Sequence, residues 1–129
     1  MARILVIDDD AAMRCLLRTV LELHGYDVVE AENGYEGLLY YQAEPTDVVI
    51  TDMQMPVMGG LELITELQRN FPWAKVIAIS GGRRSLAVAR TFTPHTFEKP
   101  FSLEEVLDTV QELVYAPTPS ELEYGAVAH

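Results

Sequence analysis

Short apolar runs alternate along this chain with stretches whose apolar residues recur every three or four positions. Ile4-Leu5-Val6-Ile7 is continuous and apolar, as a strand buried on both faces requires. It ends at Asp8-Asp9-Asp10, after which Met13, Leu16, Leu17, Val20 and Leu21 fall at helical spacing. Gly25 is placed to end that helix in a left-handed cap. Asp27 to Ala31 reads as a second strand, Asn33-Gly34 as a turn and N-cap, and a helix follows through Tyr41 until Pro45 prevents its continuation. The third strand, Val48 to Thr51, again ends in an aspartate, Asp52. Met53 to Gly59 is a loop, and Leu61, Ile64 and Leu67 stripe the next helix, which Asn70-Phe71-Pro72 stops. A fourth strand, Val76 to Ile79, runs into Ser80-Gly81-Gly82 and a short, poorly marked helix over 85–91. A fifth strand around Thr96-Phe97-Glu98 leads to Lys99-Pro100. Ser102 with Glu105 three residues later is a capping box, and Leu103, Val106, Leu107, Val110, Leu113 and Val114 line the last helix.

Five strand–helix units without a sequence repeat imply parallel strands, right-handed crossovers and helices on both faces. The favoured solution is an α/β, doubly wound five-stranded parallel sheet, a flavodoxin-like (βα)5 unit with strand order 2-1-3-4-5. Its cleft lies outside the carboxyl ends of the strands, so the residues following each strand are the candidates for chemistry.

Composition narrows the classes. The 129 residues suit one domain. Residues 1–115 are expected to form it and 116–129, where the helical pattern stops, a tail or linker. No stretch approaches the roughly 20 apolar residues of a membrane span, and Met1-Ala2-Arg3 runs directly into a strand, which leaves no room for a signal peptide. A cytoplasmic location is the expectation. Nine basic against 20 acidic residues give a net charge of −11, which opposes direct nucleic-acid binding; only Arg83-Arg84 forms a basic doublet. The single cysteine, Cys15, excludes an internal disulfide and is expected to be a buried, inert thiol in the first helix.

The strand-end residues are Asp8, Asp9, Asp52, Ser80 and Lys99. Taken singly, an aspartate there caps a turn, a serine before glycines belongs to a loop, and a lysine is solvated. Together at one sheet edge they make another case. Each close pair of carboxylates repels by on the order of 4 kcal/mol at a protein-like dielectric, so either one acid is protonated or cations compensate. Lys99 supplies one positive charge. A divalent ion supplies two, and an all-oxygen site with room for water suits Mg²⁺, with Mn²⁺ as a substitute. The lack of a His/Cys cluster argues against structural zinc. A carboxylate can attack phosphorus, and cations with hydrogen-bond donors stabilise the transferring group. Asp52 stands out as nucleophile, because an open loop leads away from it and brings backbone carbonyls within reach of a metal.

The runs Ile4 to Asp10, Asp52-Met53-Gln54-Met55-Pro56 with Gly60, and Phe97-Glu98-Lys99-Pro100-Phe101 resemble the receiver domain of two-component response regulators. The resemblance covers about Arg3 to Tyr115. It implies that Asp52 is the phosphoacceptor, Asp9 a direct metal ligand, Asp8 an indirect one, and the Gln54 backbone carbonyl the third protein ligand. It further implies that Ser80 and Lys99 contact the phosphoryl group and that Lys99-Pro100 is cis. The donor would be a histidine kinase or phosphotransfer protein, and the reader a downstream protein target or output domain. Such a domain is not an enzyme beyond promoting its own aspartyl phosphorylation and dephosphorylation.

Two positions depart from the family pattern. The third residue before the lysine is usually aromatic and here is Thr96, while Phe97 is expected to face the other side of the strand. The segment from Ser80 to Lys99 is also short, which predicts a truncated or mobile fourth helix. His24 and His95 are expected to be surface or loop residues, and Tyr35, Tyr40, Tyr41 and Trp73 to serve packing or surface. Three rival readings remain: an aspartate-nucleophile phosphohydrolase, a flavin binder of the same architecture, and a degenerate receiver acting only as an interaction module. The first lacks an acid two residues after Asp52, where Gln54 stands, and the second would set phosphate against three aspartates.

Overall fold

The computed structural model describes residues 1–116. The tail expected over 116–129 therefore lies, but for its first residue, outside the described residues. Five strands alternate with five helices: β1 (Arg3–Ile7), α1 (Ala11–Leu23), β2 (Asp27–Ala31), α2 (Gly34–Ala43), β3 (Val48–Asp52), α3 (Gly60–Asn70), β4 (Val76–Ser80), α4 (Arg83–Arg90), β5 (Thr96–Glu98) and α5 (Leu103–Tyr115). The strands form one parallel sheet in the order β2-β1-β3-β4-β5, as expected.

Because strand side chains alternate between faces, the continuous apolar runs serve two cores at once. Leu5, Ile7, Val49, Val76 and Ala78 pack with Leu38, Tyr41, Leu63, Ile64, Leu67 and Ala89 of α2, α3 and α4. Ile4, Val6, Val48, Ile50, Ile77 and Ile79 pack with Leu17 and Leu21 of α1 and Val106, Val110 and Leu113 of α5. Phe97 belongs to this second side, so it leaves Thr96 facing the other way, as predicted.

Caps set the helix ends. The Asp10 carboxylate accepts from the Ala12 and Met13 amides, Asn33 from Glu36, and Ser102 from Glu105 at 3.3 Å. Gly25 at φ +87° follows α1 in the left-handed conformation a side chain resists. Lys75 donates to the Leu113 and Ala116 carbonyls at the end of α5, where a cation is favoured. Tyr41, Phe71 and Trp73 stack edge to face, in keeping with the packing role expected of Tyr41 and Trp73. Among the described residues, no helix is long and apolar enough to cross a membrane.

Three expectations need correction. Cys15 is exposed rather than buried, because α1 turns Leu17 and Leu21 inward and position 15 falls on the opposite face. Leu16 and Leu61 are also exposed (43% and 42%), and Leu63 takes the buried place that the striping gave to Leu61. The fourth helix spans Arg83–Arg90, so it starts two residues before the expected Ser85. At eight residues it is the shortest helix of the described residues, as predicted.

Candidate functional site

Register places the site. Ile7 lies beside Thr51, Asp52 beside Ile79, and Ser80 beside Glu98, so four parallel strands end along one edge. The ladders run on past the strand ends: the Asp8 amide donates to the Ala31 carbonyl, Met53 to Ile79, and Lys99 to Ser80 (2.9–3.1 Å). Asp8, Asp52, Ser80 and Lys99 are therefore held by backbone pairing, not by a mobile loop. The Lys99-Pro100 bond is cis.

Carboxylate oxygens of Asp8, Asp9 and Asp52 lie within 4.8 Å of one another. Asp8 and Asp52 are buried (3% and 6% exposed), whereas Asp9 faces solvent. Lys99 Nζ sits 3.5 Å from Asp8 Oδ2 and 3.4 Å from Asp52 Oδ2. Asp8 Oδ1 accepts the Asp10 amide at 2.9 Å, and the Gln54 amide approaches Asp52 Oδ1 at 3.5 Å.

Charge is unevenly compensated. Burial of Lys99 alone would lower its pKa, but the charges of Asp52 and Asp8 and its hydrogen bonds to them win and hold it above the ordinary lysine value. Asp8 moves the other way from a simple ion-pair partner. Its burial, with help from the Asp52 charge, raises its pKa despite the Asp10 amide and Lys99. One ammonium thus does not fully offset burial and repulsion, and the ionised form of Asp8 is less favoured than in water. The donor set is oxygen only, with one residue open to solvent, and it fits a divalent cation such as Mg²⁺.

Ser80 is fully buried, and its hydroxyl is engaged within the β4–α4 loop. Its Oγ accepts from the Gly82 amide at 3.1 Å and donates to the Gly82 carbonyl at 3.3 Å. It makes no hydrogen bond to Asp52. Of the sequence-predicted set, the structure brings Asp8, Asp9, Asp52 and Lys99 into one cluster and the Gln54 amide to its edge; Ser80 is adjacent but turned toward its own loop.

Three features of the site were not anticipated. Arg14 Nη1 donates to the Asp8 carbonyl at 2.6 Å while Nε pairs with Glu30 at 3.3 Å, so a cation two turns away steadies the β1 end. Its place one turn into α1 was the available signal. The Gln54 side chain reaches across to donate to Ser85 Oγ at 3.4 Å, which only tertiary structure reveals. Gly60 is required by close approach, since a Cβ there would lie 2.6 Å from the Asp52 carbonyl oxygen and 2.7 Å from Met53 Cα. The loop it closes also holds Val57 at φ +69°.

Known proteins share this fold. The family model of the response regulator receiver domain matches residues 4–111. The response regulator MprA of Mycolicibacterium vanbaalenii is 34% identical over 122 residues, which are 92% of this chain and 53% of that protein. The chemotaxis protein CheY of Listeria monocytogenes is 32% identical over 116 residues, 87% of this chain and 98% of its own. This chain thus spans about half the length of one relative and nearly all of the other. The response regulator TrrA of Thermotoga maritima, solved in complex with Mg²⁺ and BeF, superposes with a TM-score of 0.81 at 32% identity, covering 88% of this chain and 99% of that one. With the strand order, the cis Lys99-Pro100 bond and the acidic cluster already in place, these matches carry one conclusion: the chain belongs to the response regulator receiver domain family.

Proposed function

We propose that Asp52 is the phosphoacceptor, charged by a histidine kinase or phosphotransfer protein in an Mg²⁺-dependent reaction, and that residues 1–115 act as the receiver unit with 116–129 as a tail. The observation that carries this reading is the cluster itself: three carboxylates within 4.8 Å, two of them sharing one lysine at 3.4–3.5 Å.

An Asp52 carboxylate oxygen attacks the donor phosphorus, the phosphorus–nitrogen bond of the phosphohistidine breaks, and the electron pair leaves on the imidazole, which takes up a proton. The product is an acyl phosphate on Asp52. Water later attacks phosphorus and returns the carboxylate and inorganic phosphate. Lys99, already beside Asp52, neutralises oxygen charge on the transferring group. Asp9 would hold the metal directly, Asp8 through water, and Gln54 through its backbone carbonyl; a bound Mg²⁺ supplies the positive charge that the acids lack. Mn²⁺ suits the same oxygens.

Ser80 exchanges its two Gly82 hydrogen bonds for a phosphoryl oxygen. Each neutral hydrogen bond contributes roughly 0.5–1.5 kcal/mol and a charge-assisted one more, so the exchange is balanced closely enough to act as a switch. A downstream protein target or output domain reads the shifted population. The free thiol of Cys15 suits a reducing, cytoplasmic compartment.

Intact-mass measurement after incubation with acetyl phosphate and Mg²⁺ tests this. One phosphoryl addition is expected in the native sequence, and none in Asp52→Asn or in chelator. Absence of addition in the native chain, under conditions that label another receiver, would make the domain an interaction module only.

A further inference from the structure

Within the acidic cluster, the least tethered side chain is that of Asp9. Asp8 is fixed at its amide by the Ala31 carbonyl and at its carboxylate by the Asp10 amide and Lys99. Asp10 is tied into α1, its carbonyl accepting from the Arg14 amide and its carboxylate from the Ala12 and Met13 amides. Asp9 stands between them, exposed, and its side chain makes no hydrogen bond or ion pair among the described residues. The direction of its carboxylate is therefore set by the backbone that carries it.

The peptide that joins Asp8 to Asp9 is held at its oxygen by one group. Arg14 Nη1 donates to the Asp8 carbonyl at 2.6 Å, and no other donor reaches that oxygen among the described residues. The guanidinium is itself braced. Its Nε faces Glu30 Oε1 on β2 at 3.3 Å, Glu30 Oε2 takes Arg18 at 2.7 Å, and Arg18 reaches on to Glu22 at 3.0 Å. The Arg14 side chain is only 13% exposed, so removing it would leave a part-buried carbonyl without a partner. A planar fork fixes the direction of both contacts, which a rotating ammonium does not. Helix stability does not account for the residue, since a cation this near the start of α1 opposes the helix dipole.

We propose that Arg14 is a positioning residue for the metal: it orients the Asp8–Asp9 peptide against the Glu30 brace and so aims the Asp9 carboxylate at the ion. This rests on the reading of Asp9 as a direct Mg²⁺ ligand. Arg14 touches neither the ion nor the phosphoryl group and acts through the backbone that carries Asp9.

The test titrates Mg²⁺ alone into the full chain, without phosphodonor, and reads Kd from amide chemical shifts around the acidic cluster. Arg14→Met should raise Kd about tenfold, as loss of a group that orients a metal ligand does. Arg14→Lys, which keeps the charge but not the fork, should stay several-fold weaker than the native chain, and so should Glu30→Gln, which loosens the brace. In chelator, the carbonyl-carbon resonance of Asp8 should shift in Arg14→Met, because the bond it reports needs no metal. Lys75→Met removes a cation that ties carbonyls at the end of α5, and should lower unfolding stability while leaving Kd native, which separates positioning from general destabilisation. A native Kd in Arg14→Met, full recovery by Arg14→Lys, equal weakening by Lys75→Met, or an Asp8 resonance unmoved in chelator would each overturn the proposal and leave the metal site standing. A native chain that binds no Mg²⁺ would overturn the reading of the cluster as a metal site, and this proposal with it.

Discussion

Replacing Asp8 by Asn should stabilise the metal-free protein while weakening its stabilisation by Mg²⁺. At the 4.8 Å limit of the cluster and an effective dielectric of about 20, Asp8 and Asp52 repel by about 3.5 kcal/mol, and the solvent-facing Asp9 adds about 1 kcal/mol at the dielectric of water. Against this, Lys99 at 3.5 Å attracts Asp8 by about 4.7 kcal/mol on the same scale. The charge terms nearly cancel, so the outcome turns on burial. A carboxylate 3% exposed bears a desolvation cost of several kcal/mol, which the single Asp10 amide offsets only in part. Asn keeps an oxygen for that amide and sheds the charge. A net gain of about 1–2 kcal/mol is expected, or roughly 4–8 °C in Tm for a chain of this size. The sign with pH follows from the raised pKa of Asp8. The contribution of its protonated form is fully present below the ordinary aspartate range and is lost as pH rises through the folded value. The advantage of Asp8→Asn should therefore be large near neutrality and vanish in acid. Mg²⁺ at ten times its Kd should stabilise the native sequence by about 1.4 kcal/mol and the variant much less. Thermal denaturation in chelator and in Mg²⁺, repeated across pH, reads all three. A metal-free variant less stable than the native chain, or an advantage independent of pH, would refute the reasoning.

Two further outcomes concern the loop that frames Asp52. Gly60→Ala would press a methyl group against the Asp52 backbone carbonyl at 2.6 Å and should cost about 1–3 kcal/mol by denaturant titration, with slower acceptor labelling in the same samples. Val57, exposed at 80% and held at φ +69°, is a β-branched residue in the left-handed region, which costs roughly 1–2 kcal/mol, so Val57→Gly should stabilise the fold by about 0.5 kcal/mol once the added freedom of the unfolded chain is deducted.

Strands were legible in the sequence for a physical reason. A parallel strand covered on both faces must be apolar throughout, so Ile4–Ile7, Val48–Ile50 and Val76–Ile79 announced themselves, and a five-unit alternation left few topologies. Helix faces were harder to read. Leucine spacing cannot tell which of two neighbouring leucines turns inward, so Leu16 is striped inward along with Leu17, and Leu61 in the place that Leu63 fills. Cys15 failed similarly, because the inert-thiol expectation rested on residue type, whereas its exposure is set by the phase of α1. The start of α4 was hidden because Gly82 offers no capping side chain to mark it.

At the site, what could be read was whatever topology alone determines. Parallel strands of equal register deliver their following residues to one edge, so the convergence of Asp8, Asp52 and Lys99 needed only the strand order. Contacts made by side chains reaching sideways needed coordinates: Arg14 onto the Asp8 carbonyl, Gln54 onto Ser85, and Ser80 folded back on Gly82. This division bears on how the domain works. The acidic cluster is fixed by backbone ladders and is poised for a cation whatever its neighbours do. The groups between it and α4 are held by hydrogen bonds of 3.1–3.4 Å, each weak enough to be exchanged. The proposed acceptor chemistry would thus use the rigid part and any conformational response the loosely tied part. With Thr96 in place of an aromatic residue on the α4 side of β5, the side-chain link from the Asp52 loop to the short, cationic α4 is the hydrogen bond of Gln54 to Ser85.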